Sequence, residues 1–256
     1  MTGLELILGM ILIVFSAILM AVFYALMRKR PGKNLRSIEG IENLKQAAGL
    51  SVEEGKRLHI SLGNAGLISP YAASSLAGVS ALERLSRASI ASDRPPIATS
   101  GEGSLNILAQ ETLKSSHRFG NALEAYDSDQ ARVTGITPFT YAVGAIPSIR
   151  DNRVSTNIII GHLGAEAAFL SEAANQQSSH LISASDSLEG QSVLFAASQN
   201  VLLAEELYAL PAYLQSHPAH QASLRVQDIL RWVLAGGLLI GAMIKLAGVL
   251  MGAPLL

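Results

Sequence analysis

The chain has 256 residues, 19 lysines and arginines against 20 aspartates and glutamates, and a net charge of −1. That balance excludes broad nucleic-acid binding, which needs a basic face, and the lack of cysteine excludes disulfides and thiolate metal sites. Hydrophobic residues reach 49% and charged residues only 15%, below the usual quarter, and the two ends of the chain account for this.

Leu6 to Met27 holds no charged residue, and at 1.5 Å per residue it reaches roughly 33 Å, enough to cross a bilayer core of about 30 Å. Arg28, Lys29 and Arg30 end it, with Lys33 and Arg36 close behind. A cleaved signal peptide would carry its basic residues on the other side. Residues 1–30 are therefore predicted to be a transmembrane helix of the plasma (inner) membrane, with Arg28 cytoplasmic and Met1 outside.

Residues 31–55 read as a basic linker and a membrane-proximal helix. Ile38, Ile41, Leu44 and Ala48 recur at helical spacing, and Gly49 is the expected stop. From 56 to 214 a repeated unit follows: a short apolar run, a turn of glycine, serine or aspartate, then a helical stretch. Leu58–Leu62 leads through Gly63, Asn64 and Gly66 into a helix predicted over Pro70–Ser89, with Leu76, Val79, Leu82 and Leu85 inward. Pro96–Thr99 enters Ser100, Gly101, Glu102, Gly103 and Ser104, then a helix to Phe119. Asn157–Ile160 enters Gly161, His162 and Gly164, then a helix over Ala165–Gln177. His180–Ala184 enters Ser185, Asp186 and Ser187, then a helix over Leu188–Ser198.

Such units predict an α/β fold: a mainly parallel sheet with flanking helices in Rossmann-like layers, tethered by a transmembrane helix at each terminus. Asn121–Gln130 reads as a loop. Arg132–Ile149, with Pro138 and Pro147, reads as irregular strands or an edge hairpin. Asn200–Leu214 is predicted to be a helix, kinked or ended by Pro211. A connector helix at 215–228 should run without a break into a second span at 229–256. Arg231 and Trp232 anchor that span, Lys245 snorkels toward the far headgroups, and the tail from Gly252 lies at the outer interface. Ala17, Ala21 and Ala25 in the first span, and Gly237 and Gly241 in the second, form small-residue ridges at matching depth. They are expected to pack the helices as an antiparallel hairpin or to serve between subunits.

In open parallel sheets ligands bind beyond the carboxyl ends of the strands, where all four turns fall. Their N–H groups and the following helix N-termini favour a phosphate or carboxylate. His162 and Glu166, four apart, could form an acid–base pair or share a metal with Glu102 or Asp186. The bland readings are a histidine lining a turn, a glutamate favouring a helix start and Asp186 as a helix cap. No dinucleotide fingerprint, Walker A loop or nucleophile elbow is present, so no cofactor is named, and no resident metal site is predicted.

Ile60-Ser61-Leu62-Gly63-Asn64 through Ser69-Pro70, Pro95-Pro96-Ile97-Ala98-Thr99-Ser100-Gly101-Glu102-Gly103, Gly135–Ala142, Glu205-Glu206-Leu207 and Ala222–Trp232 together resemble an uncharacterised bacterial membrane-protein family classed as a domain of unknown function. The resemblance implies a membrane location and supplies no activity or catalytic residue. The residues alone predict a scaffold or ligand sensor partnered by the lipid bilayer and by further copies or a membrane protein. The alternative is an enzyme or binding protein for a phosphorylated or carboxylated small molecule.

Overall fold

A computed structural model describes residues 3–29, 35–90, 92, 94–151, 153–177, 179–215 and 217–250. Arg30, Lys33 and the tail from Gly252, all part of the topology reading, lie outside them. The chain divides into two units, one of residues 1–34 and 216–256, the other of residues 35–215.

The first unit holds α1 (Gly3–Lys29) and α9 (Pro218–Leu250). Gly9–Arg28 and Pro218–Gly248 are long and apolar enough to cross a membrane, and the most apolar stretch of each has no buried residue. The connector does run unbroken into the second helix; Pro218, without an N–H, opens it as a first-turn residue. The two helices touch. Within α1 the less exposed residues are Ser16, Leu19, Met20, Phe23 and Met27, a stripe at three- and four-residue spacing. Ala17, Ala21, Ala25, Gly237 and Gly241 are exposed, and a Cβ added at either glycine would meet nothing within 4 Å. These ridges are thus not where α1 and α9 meet within one chain.

The second unit is an all-parallel six-stranded sheet. Its strands are β1 (Arg57–Ser61), β2 (Ile97–Ser100), β3 (Ala131–Val133), β4 (Val154–Gly161), β5 (His180–Ser185) and β6 (Asn200–Leu203), in the order β3-β2-β1-β4-β5-β6. The order reverses direction between β1 and β4, the crevice where doubly wound sheets receive their ligands. One face packs on α2 (Glu39–Glu53), α3 (Ala72–Ser89), α4 (Gly103–Phe119) and α8 (Glu205–Leu214). The other packs on α5 (Pro138–Ile149), α6 (Ala167–Gln176) and α7 (Leu188–Ala197).

Strand β1 alternates as a period of two requires. Leu58, Ile60 and Leu62 enter the first core with Ile158 and Ile160 of β4, each such burial contributing about 2 kcal/mol. His59 and Ser61 point to the other face, where fully buried Tyr141 sits 2.5 Å from the Ser61 hydroxyl. His59 is fully buried between Asn157 Oδ1 (2.9 Å) and the Thr99 hydroxyl (3.0 Å). Asn157 Nδ2 donates to the Ser179 hydroxyl at 2.8 Å, which leaves Asn157 Oδ1 as the acceptor for a protonated Nδ1, while Nε2 accepts from Thr99. Burial, aided by the charge of Arg132 and opposed by Asn157, lowers the His59 pKa to about 4.

Three segments differ from expectation, and α3 starts at Ala72 rather than Pro70 with Leu76, expected inward, on its exposed side. The segment read as an edge hairpin is the short strand β3 followed by α5: Thr137 and Thr140 close a capping box and Pro138 opens the first turn. Tyr141, Ala142, Ala145 and Ile149 then fall on one buried stripe. The helix expected from Asn200 begins only at Glu205, because Asn200–Leu203 pairs with β5 as an edge strand. Pro211 lies inside α8 without ending it. Helix α2 passes Gly49 and continues to Glu53, burying Ser51 on the way.

Candidate functional site

All four predicted turns lie on the carboxyl edge of the sheet. In the loop after β1, Asn64 Nδ2 donates to Glu166 Oε1 at 3.0 Å, and Gly66 lies against the Glu102 side chain. Glu102 is the N-cap of α4, accepting from the Ser104 hydroxyl at 2.5 Å and the Leu105 N–H at 2.9 Å. The Ser104 contact, more than the opposing burial, holds its carboxyl below the ordinary range. Gly103 opens α4, buried Ser100 ends β2, and Gly101 N–H donates to Gly63 O at 2.9 Å.

After β4, Glu166 does not pair with His162. It is buried, and its Oε1 also accepts from the Gly164 N–H at 2.9 Å. The helical spacing that suggested the pair does not apply, because α6 starts only at Ala167. His162 turns instead to the neighbouring strand end. The register of Gly161 opposite Ser185 sets His162 beside Asp186, and Nδ1–H donates to Asp186 Oδ1 at 2.7 Å. The imidazole lies flat on Tyr71, with ring centroids 3.8 Å apart and planes 9° apart. Asp186 Oδ2 accepts from the Tyr208 hydroxyl at 3.3 Å. Burial, helped by Asp186, raises the pKa of Tyr208. Ser187, not Asp186, caps α7, accepting from Gly190 N–H at 2.9 Å. Ser185 bridges back to Leu163 O at 2.9 Å.

Among the described residues nothing bonds His162 Nε2, so a carboxylate fixes the tautomer while the far nitrogen stays available, the arrangement of an oriented acid–base or hydrogen-bonding histidine. No group of three histidines, aspartates or glutamates among the described residues could hold a metal ion.

Tyr71 and Tyr208 carry no signal in the sequence. The first directly follows Ser69-Pro70 as the N-cap of α3, and the second lies on the apolar helix α8. Only the strand order shows that both reach His162 and Asp186.

Many of the N–H groups expected to cradle an anion are already engaged within the chain: Gly63 by the Tyr141 hydroxyl (3.2 Å), Leu163 by Ser185 (3.3 Å), and Gly164 and Leu105 by glutamates. The segments 62–71, 101–104, 134–137, 162–166, 186–189 and 204–206 contain Glu102, Glu166, Asp186, Glu189, Glu205 and Glu206 and no lysine or arginine. Several of these carboxylates sit at helix starts, where the helix dipole stabilises them. The edge is negative as built.

Comparison with curated proteins gives no match, and comparison with solved structures gives none. A family model does match, over residues 3–255, and the chain belongs to the family described as Domain of unknown function (DUF6754).

Proposed function

We propose that the protein is a membrane-anchored sensor or scaffold whose α/β domain lies on the cytoplasmic side and binds a small ligand at the β1–β4 reversal, beside His162. The observation that carries this reading is the Asp186-held, Tyr71-stacked His162 at the point where the strand order reverses. The two apolar helices support the anchoring, and Arg28 to Arg30 support the orientation. With six carboxylates and no lysine or arginine in those edge segments, the ligand that fits best is neutral or cationic and can lie on an aromatic face. A phosphorylated or carboxylated ligand would meet like charge, and many of the expected N–H donors are already bonded.

Full-length protein in detergent, screened by thermal shift against nucleosides, sugars, amines and nucleotides, should be stabilised by a member of the neutral or cationic sets. At one hundred times Kd the gain is about 2.7 kcal/mol, and His162→Ala should abolish it. A shift confined to nucleotides, or one that His162→Ala leaves intact, overturns the reading.

Orientation is tested separately, since the chain has no cysteine of its own. A single cysteine at exposed Glu111 should react with an impermeant maleimide only after the cells are opened, and labelling of intact cells refutes the cytoplasmic placement.

His162 Nε2, which nothing among the described residues bonds, favours a second reading, an enzyme using that nitrogen to move a proton. Turnover of a stabilising ligand, lost in His162→Gln, would establish it.

A further inference from the structure

The helices on the two sides of the sheet differ in charge, although both sides expose apolar residues, Leu76, Ile107 and Phe119 among them on α3 and α4. Helices α3 and α4 carry Glu83, Arg84, Arg87, Glu111, Lys114 and Arg118. Helices α5, α6 and α7, of 12, 10 and 10 residues, contain only Glu172 and Glu189 as charges. Their layer, with the loop before α5, exposes Ile136 (87%), Phe139 (55%), Val143 (54%), Phe169 (46%), Leu188 (79%) and Phe195 (67%). Phe139 and Phe169 meet edge to face across α5 and α6, centroids 6.0 Å apart. A groove of about 470 Å³ runs over the same face, bordered by Ile146, Ala168, Ala173 and Val193, with Arg150 and Glu172 also on its lining.

We propose that this face seats a second copy of the chain, the α5–α6–α7 layers of two protomers packing about a two-fold axis. Three observations select that occupant. First, the six exposed apolar side chains amount to on the order of 700 Å², close to the roughly 800 Å² that each partner contributes to a stable interface. Second, the groove carries one cation and one anion, so a two-fold axis can set Arg150 opposite the partner's Glu172, the self-complementarity an isologous contact requires. Third, a face made to lie on anionic lipid would carry several lysines or arginines, whereas among the described residues Arg150 is the one basic side chain on the groove. Depletion of charge with enrichment of phenylalanine is the composition of an interface centre.

The test uses the full chain in native membranes. Ala168→Cys, on central α6, should give an oxidation-induced band of twice the chain mass, and Glu111→Cys, on α4, should not. In detergent, Phe169→Glu should raise the dimer dissociation constant at least tenfold by sedimentation. Phe195→Glu, more exposed and so less demanding of the fold, should do the same. Equal crosslinking at both cysteines, none at residue 168, or a crosslinked band of another mass overturns the proposal. A dissociation constant unchanged in both glutamate variants also overturns it.

Discussion

Replacing Gly161 by alanine is expected to lower the stability of the domain by about 2–5 kcal/mol, a large share of the 5–15 kcal/mol that holds a typical domain folded. Gly161 has φ +142° and Gly63 has φ +76°, backbone states that cost a side chain on the order of 1–2 kcal/mol. Space is a second obstacle. A Cβ at Gly161 would fall well inside contact distance of Leu62 O, and one at Gly63 would lie 2.7 Å from His162 O. Relieving such overlap costs a further 1–3 kcal/mol. The two strand ends meet backbone to backbone, with Asn64 N–H donating to His162 O at 3.3 Å. At 2–4 °C per kcal/mol for a domain of this size, the melting temperature should fall by roughly 4–20 °C. Gly49→Ala is the control. It sits inside α2 with nothing within 4 Å of an added Cβ, and should gain up to about 1 kcal/mol. A Gly161→Ala protein that melts like the parent would show that these loops do not touch.

Acid should unfold the domain earlier than its carboxylates alone require. His59 has a pKa of about 4 in the native state and 6.5 when exposed. Above pH 6.5 both states are neutral and the buried network contributes in full. As the pH falls from 6.5 toward 4, the unfolded chain takes up the proton that the native state refuses, and stability declines with it. The complete loss is on the order of 3 kcal/mol, of which about 2 has gone by pH 5, above the range where most carboxylates titrate. Melting at pH 5 should therefore come roughly 4–8 °C below melting at pH 7. His59→Gln, whose amide can still donate to Asn157 and accept from Thr99, should flatten that difference. An unchanged pH profile in the variant would mean that His59 is protonated or solvated in the folded protein.

Much of the architecture could be read from single segments. The terminal apolar stretches, the strands β1, β2, β4 and β5, and the placement of Gly63, Ser100, Gly161 and Ser185 at their ends all follow from local pattern. What escaped depends on neighbours distant in sequence. Asn200–Leu203 is too short to declare itself a strand until β5 offers an edge, and by pattern alone it is continuous with the helix that follows. Pro138 and Pro147 argued for irregular strands, although Thr137 and Thr140 cap a helix there. The site divided in the same way. Each turn was visible, but the pairing of His162 with Asp186 rather than Glu166 needs β4 and β5 to be adjacent and in register. Glycine- and serine-rich turns advertise N–H groups, whereas the hydroxyls that bond those of Gly63 and Leu163 come from other elements, Tyr141 of α5 and Ser185 of β5.

The strand order also dictates when the domain can close during synthesis. β1 finds β2 early, but its other neighbour, β4, is about 100 residues downstream, and α2 docks on β6, where Asn43 reaches Asn200 at 2.6 Å. At 5–20 residues per second the ribosome leaves the β1 edge open for roughly 5–20 s. The first helix of the domain waits longer still, for the last strand. A nascent chain of this design offers chaperones a bare strand edge until nearly the whole domain has emerged.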